Sequence, residues 1–277
     1  MAIEPAPAYF CPRIIDVANT SKPPQKPIVK YRFQRYYHSL QTGHYLVKQA
    51  RRQDPVRVFF DQGCIDSACG LHMLSSALVI LDQAKSIALV EMSKRRYGVP
   101  AIVFEAFEHT YFTGVHPKEF VSLVDSLQLP LNLKLVEAAT GECDRWLVDS
   151  LMAGELVAVV TANAKNTSRD QHWTLAVGVE GTCMGREHRP DTVLLLDPSA
   201  TEPIYRPHNA RLRVATSGHG SAGGKAAERL YKAINRQGGN QRIVWHYESE
   251  SFGSEPMVIM AAVRFRLSAS ESRQQTS

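Results

Sequence analysis

The sequence has no apolar run that approaches the roughly 18–20 residues of a membrane-spanning helix. Its first residues, MAIEPAPAYFCPR, place prolines and a glutamate where a secretion signal needs basic residues followed by an apolar core. We therefore expect a cytoplasmic protein without a membrane span. Export by a route that needs no cleavable signal stays open.

Cysteine is scarce, and its spacing excludes two common uses. The five cysteines are Cys11, Cys64, Cys69, Cys143 and Cys183. An odd number with no CxxC pair indicates neither a disulfide framework nor a zinc site. The set Cys183, His188 and His208 has no ligand spacing that favours a preformed metal site. The sequence therefore predicts a protein with no metal and no cofactor.

Acidic residues are absent between Asp16 and Asp54, whereas lysines, arginines and tyrosines are frequent there, and the whole chain carries a net charge of +5. Such a segment could bind an acidic partner, either nucleic acid or acidic lipid. A solvated helix face with its aromatic residues packed inward is the commoner outcome. We keep an acidic partner for the segment before Val58 as a possibility and do not favour nucleic acid.

The pattern of apolar residues predicts helices first and a sheet afterwards. Phe33, Tyr36, Tyr37 and Leu40 favour a first amphipathic helix, and Tyr45, Leu46 and Ala50 favour a second helix or a continuation of the first. Further helices are predicted over 101–111, 117–127 and 143–152, with a strand over 131–136. Short runs rich in Val and Leu then predict adjacent antiparallel strands over 156–161, 173–179 and 193–196, with later strands over 211–215, 242–247 and 257–267.

This order predicts an α+β protein with one main domain. Residues 1–27 are expected to form a flexible arm, and residues 268–277 a disordered tail. The domain spans residues 28–267, with a helical part over about 28–153 and a mostly antiparallel sheet over about 154–267. The loop Gly218–Lys225 contains glycines and a lysine, but its spacing does not match a phosphate-binding loop. We interpret it as a surface loop, and a role as a lid stays open.

One stretch, Phe59 to Leu81, organises the functional argument. Leu71, Leu74 and Leu78 recur at the spacing of one buried helix face. Asp66 and Ser67, residue types that favour helix N-caps, precede that face. Cys69 is therefore predicted in the first turn, where unpaired N–H groups and the helix dipole stabilise a thiolate. The structural alternative is that Cys69 is a small buried apolar residue.

Three further side chains complete a pattern that suits thiol chemistry. His172 begins one predicted strand, Asp197 follows the next, and Gln62 lies upstream of Cys69. In an antiparallel pair the start of one strand lies beside the end of the next, so His172 and Asp197 are expected at one sheet edge. His172 would serve as the base and Asp197 would orient it, while an upstream amide would stabilise an oxyanion.

At these residues the chain resembles the papain-like cysteine peptidases, and most closely their C39-like, bacteriocin-leader-processing branch. The motifs are Gln62 before Cys69-Gly70, then His172-Trp173, then Asp197-Pro198. The likeness spans roughly residues 58–199. It implies a papain-like α+β fold and a cysteine peptidase acting on a peptide or protein substrate. It also implies Cys69 as nucleophile, His172 as base, Asp197 as orienting acid and Gln62 as oxyanion donor.

Other assignments remain open at this point. Cys64 is a rival nucleophile without a helix start, and His72, His109 and His116 are rival histidines without the strand arrangement of His172. The same residues would also suit an acyltransferase or an amidase with a non-peptide substrate. A third reading is a non-catalytic basic binding module that uses the segment before Val58.

Overall fold

The computed structural model describes residues 30–49, 54–63, 66–138, 142–167, 171–214, 243–251 and 253–268. The predicted flexible arm, the tail from residue 269 onward and the loop Gly218–Lys225 lie outside these ranges. None of the helices in the described ranges combines the length and the apolar character needed to cross a membrane.

The described residues form eleven strands and five α-helices. The strands are β1 (Lys30–Tyr36), β2 (Leu40–Gln41), β3 (Val47–Lys48), β4 (Val56–Arg57), β5 (Leu131–Glu137), β6 (Leu156–Asn163), β7 (His172–Met184), β8 (Glu187–Leu196), β9 (Ala210–Val214), β10 (Trp245–Ser249) and β11 (Glu255–Leu267). The helices are α1 (Cys69–Ile80), α2 (Ser86–Val90), α3 (Val99–Phe107), α4 (Pro117–Ser126) and α5 (Cys143–Met152), and 3-10 turns cover Met92–Lys94 and Glu108–Thr110.

Six strands close into an antiparallel barrel. The order runs β7-β6-β11-β10-β9-β8, and β8 pairs back with β7. β1 extends the sheet from β7, and β5 extends it from β11. The short strands β2, β3 and β4 form a separate sheet. Among the described strands every pairing within these two sheets is antiparallel.

The prediction of a papain-like α+β fold is wrong. The structure is mostly antiparallel β with a closed six-stranded barrel and few helices, which does not match a papain-like fold with a helical N-terminal domain. Residues 30–57, predicted as one or two amphipathic helices, form β1 and the small three-stranded sheet instead. From Cys69 onward the predicted helices and strands are confirmed wherever the structure describes them, but β7 runs five residues beyond its predicted end and β8 begins six residues before its predicted start.

Pairing with β7 explains why β1 is a strand. Phe33 lies opposite Gly181 and Tyr36 lies opposite Gly178. A Cβ atom on Gly178 would come within 2.2 Å of the Arg35 carbonyl oxygen, so only glycine lets β1 approach this closely. The helical spacing of the aromatic residues is real, but this long-range pairing overrides the local pattern.

Both faces of the central strands are buried. Along β6, Leu156, Ala158 and Val160 belong to one hydrophobic core, and Val157 and Val159 belong to the other. Helix α1 packs in the first core and α5 in the second. Burial on both faces explains why these strands are continuous apolar runs and do not alternate with polar residues.

Candidate active site

A tight loop sets the start of α1. The carboxylate of Asp66 accepts hydrogen bonds from the backbone N–H groups of Gly63 (2.9 Å) and Ala68 (3.1 Å). Ser67 N donates to the carbonyl oxygen of Tyr111 at 2.8 Å. Neither Asp66 nor Ser67 is the N-cap, because Ala68 occupies that position without a side-chain capping bond.

Cys69 is the first residue of α1, as the sequence predicted. Its backbone N–H belongs to the first turn of the helix, whose donors have no partner within the helix. The residue is buried in the first hydrophobic core, with 7% of its surface exposed, and its thiol donates to Ser67 O at 3.9 Å. Gly70 follows it, and Trp173 donates an indole hydrogen bond to Val115 O at 2.9 Å beside this turn.

His172 and Asp197 meet at one edge of the barrel. His172 is the first residue of β7, and Asp197 directly follows β8, which pairs with β7 through Leu175 and Leu196. His172 Nε2 lies 2.7 Å from Asp197 Oδ1. The His172 side chain keeps 25% of its surface exposed, whereas Asp197 keeps 2%. The histidine is therefore open to a ligand while the carboxylate is buried behind it.

Cys69 is the second ionisable group that acts on this imidazole. Burial by itself lowers the pKa of His172. The charge and hydrogen bond of Asp197, followed by the influence of Cys69, outweigh burial and raise this pKa to about 10. Because Nε2 is engaged by Asp197, Nδ1 is the ring nitrogen that remains for Cys69. The geometry therefore favours a protonated imidazole between a carboxylate and a sulfur that can carry negative charge.

The Asp197 carboxylate is held by donors from three parts of the chain. Oδ1 accepts the N–H of Ser199 at 2.7 Å as well as His172, and Oδ2 accepts the phenol O–H of Tyr247. Burial raises the pKa of Asp197, yet the charge of His172 and these hydrogen bonds bring it below its usual value. Burial and the Asp197 charge raise the pKa of Tyr247, so the phenol stays a donor.

The backbone at Asp197 is held by a side chain as well. Asp197 N donates to Asn209 Oδ1 at 2.7 Å, and Asn209 Nδ2 donates back to Asp197 O at 2.8 Å. The turn after β8 is thus tied to the strand that follows it, and the position of the carboxylate is determined by more than its own side-chain bonds.

Gln62 lies in the same polar cluster. Its backbone N–H donates to Pro198 O at 2.7 Å, its amide Nε2 donates to Asp66 O at 2.6 Å, and its Oε1 accepts from Ser199 Oγ at 3.2 Å. Ser199 Oγ in turn lies 3.5 Å from His172 Nε2. One of the two amide hydrogens of Gln62 is used by Asp66, which leaves the other for a ligand.

The rival histidines and cysteines are placed elsewhere or lie outside the described residues. His109 pairs with Glu119 at 3.3 Å on an exposed surface, and His116 is the N-cap of α4. His72 follows Cys69 by one turn and lines a neighbouring groove. Cys64 is outside the described residues. Burial, together with the charge of Asp144, raises the pKa of Cys143 to about 12, which leaves that thiol unreactive at neutral pH.

Of the candidate metal ligands, Cys183 and His188 lie opposite each other on β7 and β8, and His208 precedes β9. His208 Nε2 accepts a hydrogen bond from Arg211 Nε at 2.7 Å, while Cys183 donates to Gly185 O at 3.4 Å. Within the part of the chain that the structure describes, no cluster of three or more His, Cys, Asp or Glu residues has the geometry to hold a metal ion.

Three residues of the site were missed from the sequence. Ser199 had a local signal, since an Asp followed two residues later by a donor N–H is a typical Asx turn at a strand end. Asn209 and Tyr247 had none, because they lie 12 and 50 residues from Asp197 and reach it only through the barrel.

No protein-family model matches the chain, and a search of curated proteins finds no significant match. The class of site is therefore defined by its own geometry. A cysteine acts on a histidine, and the histidine is bonded to a buried aspartate, at the edge of an antiparallel barrel.

Proposed function

We propose that this protein is a thiol-dependent hydrolase of peptide or isopeptide bonds that acts through an acyl-enzyme on Cys69. The observation that carries the proposal is the imidazole of His172, which is hydrogen-bonded to Asp197 at 2.7 Å and lies close enough to Cys69 for that residue to raise its pKa. A Cys-His-Asp triad does not require a papain-like fold, because the same constellation recurs on unrelated folds. The order of Gln62, Cys69, His172 and Asp197 is similar to that of the C39-like peptidases in motifs and not in fold.

In the resting enzyme the proton of the Cys69 thiol already lies on His172, and in the first step the thiolate sulfur attacks the carbonyl carbon of the substrate. The protonated imidazole then gives its proton to the leaving amine as the C–N bond breaks. Water, deprotonated by His172, hydrolyses the resulting thioester and regenerates the thiol. Asp197 remains ionised throughout and holds the ring in one orientation.

The developing oxyanion has two candidate donors. The backbone N–H of Cys69 has no acceptor within α1, since it belongs to the first turn. The second donor is the amide hydrogen of Gln62 that Asp66 does not use. Preorganised donors of this kind contribute on the order of a hundredfold to a thousandfold to the rate.

Resolution of the acyl-enzyme by an amine in place of water would make the same triad an acyltransferase. No described contact favours one acceptor over the other, so hydrolysis is the simpler proposal. The basic-module alternative is less well supported, because Arg32, Lys48 and Arg57 of the segment before Val58 are engaged by Asp191, Asp82 and Glu202.

The test is site-resolved labelling of the full chain. We expect iodoacetamide at pH 7 to modify Cys69 and to leave the buried Cys143 unmodified, as read by peptide mass spectrometry. The variant His172→Ala should slow labelling of Cys69 at least tenfold, because the group that accepts the thiol proton is gone. His109→Ala removes an exposed histidine outside the site and should leave the rate unchanged.

Activity is measured by incubating the protein with a pool of octapeptides and identifying cut products by mass spectrometry. Cys69→Ala and Cys69→Ser should abolish cutting, and products carrying an added amine would redirect the proposal to acyl transfer. Equal labelling of Cys69 in the wild type and His172→Ala would contradict the triad.

A further inference from the structure

A groove opens beside the candidate nucleophile. It has a volume of about 730 Å³, within the range of ligand pockets. Its lining includes Leu71 and His72 of α1, together with residues of α2, α3 and the turns that follow them. The groove is thus built by the helical segment that packs on the barrel.

Several residues that line the groove are neighbours in the chain of the active-site residues. Leu71 and His72 lie in the first turn of α1, two and three residues after Cys69. Asp61 precedes Gln62, and Tyr111 accepts the hydrogen bond from Ser67 on the approach to Cys69. A chain bound with its carbonyl group at the Cys69 sulfur therefore has the groove within reach of its neighbouring side chains.

The lining is mainly apolar. Phe60, Leu71 and Leu89 are buried, while Val90 and Phe112 expose 68% and 72% of their surface. Exposed large apolar side chains at the mouth of an apolar groove indicate a surface that becomes covered by a ligand. Burial lowers the pKa of His72, so that its imidazole adds no positive charge at neutral pH.

The charged residues of the groove disfavour acidic ligands. Asp61 and Glu108 are exposed carboxylates among its lining residues, and the guanidinium of Arg57 is occupied by Glu202. His72 Nε2 is buried and has no hydrogen-bond partner among the described residues. An acidic side chain would meet like charge here, whereas an apolar one would gain burial.

We infer that this groove is a specificity site for a bulky apolar side chain of a peptide substrate, within a few residues of the bond that is cut. The inference rests on the proposed function and adds the class of substrate. The occupant is a leucine-, methionine- or phenylalanine-like side chain, because the lining provides apolar contact and only carboxylates as free charges. Filling such a pocket changes kcat/KM by roughly 10- to 200-fold.

The experiment profiles cut sites in the octapeptide pool with the full chain. We expect one position near the cut to be enriched in Leu, Met and Phe and depleted in Asp and Glu, by at least tenfold. Cutting that depends on Cys69 but has no apolar preference at any position overturns this inference and leaves the proposed function intact. Absence of cutting counts against the proposed function.

A matched pair of variants locates the preference. Val90→Gln places a polar group in the groove, whereas Ile87→Gln changes a residue of the same helix with nearly the same exposure, 67% against 68%, that does not line the groove. Val90→Gln should reduce the apolar preference at least fivefold, and Ile87→Gln should not. A preference that is equal in both variants and in the wild type would place the apolar site elsewhere.

A second measurement does not need catalysis. An apolar peptide, acetyl-Gly-Leu-Phe-Gly-amide, should slow iodoacetamide labelling of Cys69 in the wild type and in Ile87→Gln, but less in Val90→Gln. The unprotected labelling rate should be the same in all three proteins, since Val90 lies outside the triad. Equal protection in all three proteins overturns the inference.

Discussion

The phenol of Tyr247 donates a hydrogen bond to the buried carboxylate of Asp197, although 50 residues separate them along the chain. Tyr247 lies on β10, and Asp197 follows β8, with β9 between these strands in the barrel. The pairings of β8 with β9 and of β9 with β10 thus supply the third donor to the carboxylate that holds the His172 ring. Tyr247 thereby helps to fix the carboxylate that is hydrogen-bonded to the His172 ring.

Tyr247→Phe removes this donor with little change in shape. A hydrogen bond to a charged group contributes about 1.5–3 kcal/mol, so we expect kcat/KM for peptide hydrolysis to fall by about 10- to 100-fold. The loss should fall on kcat, because the bond acts on the base and not on substrate binding. Steady-state kinetics measure both constants, and Tyr97→Phe, at an exposed site, is the control. A rise in KM with kcat unchanged would contradict a positioning role.

The raised pKa of His172 predicts a dependence of stability on pH. The folded pKa of about 10 lies above the unfolded value of about 6.5, so the stabilisation is fully present below pH 6.5 and is lost as pH rises toward 10. The difference in free energy of unfolding between the wild type and His172→Ala should therefore shrink from pH 6 to pH 10. Urea denaturation at pH 6, 8 and 10 measures it, and a difference that stays constant would refute the charged pair.

Gly70→Ala should be destabilising even though alanine is the better helix former. The added Cβ would lie 2.7 Å from Val115 Cγ1 and 3.5 Å from Trp173 Cδ1. Val115 is stiff and its carbonyl is bonded to Trp173, so overpacking should cost about 1–3 kcal/mol and exceed the gain in helix propensity of about 1 kcal/mol. Thermal unfolding measures the loss.

Removal of the clashing side chain tests the reason for that loss. In the double variant Gly70→Ala with Val115→Ala, the new methyl group occupies space that the valine vacates. We expect most of the stability lost by Gly70→Ala to return, beyond the sum of the two single changes. Simple additivity of the two changes would show that the contact with Val115 is not the cause.

Gly178→Ala tests the pairing of β1 with β7. The new Cβ would meet Arg35 O at 2.2 Å and Tyr36 Cα at 2.7 Å, and backbone atoms cannot rotate away as a flexible side chain can. We expect a loss of about 1–3 kcal/mol and faster hydrogen exchange of the β1 amides. Gly253→Ala has no atom within 4 Å of its new Cβ and is the control. Unchanged exchange in β1 would contradict the observed register.

Much of the site could be predicted because its signals are local. Cys69 was placed by the leucine spacing that follows it, and His172 by the apolar run that it begins. Asp197 was placed by the end of the next run, and the two runs form the adjacent strands β7 and β8. Adjacent antiparallel strands bring start and end together without any information from the rest of the chain.

The fold class could not be predicted in the same way. The aromatic spacing around Phe33 fits a helix, and β1 becomes a strand because Gly178, more than 140 residues later, leaves room for it. Tyr247 and Asn209 were missed for the same reason, because a local sequence pattern does not record contacts between residues far apart in the chain.

The sequence by itself determined the start of α1, the two strands that carry His172 and Asp197, and the expectation that these residues meet. Only the tertiary structure decided that the sheet closes into a barrel, that β1 joins it and that Tyr247 reaches Asp197. The physical reason is that helix and strand periodicity act over a few residues. Barrel closure depends instead on contacts between strands that are distant in the chain, and a local pattern does not record which strands will meet.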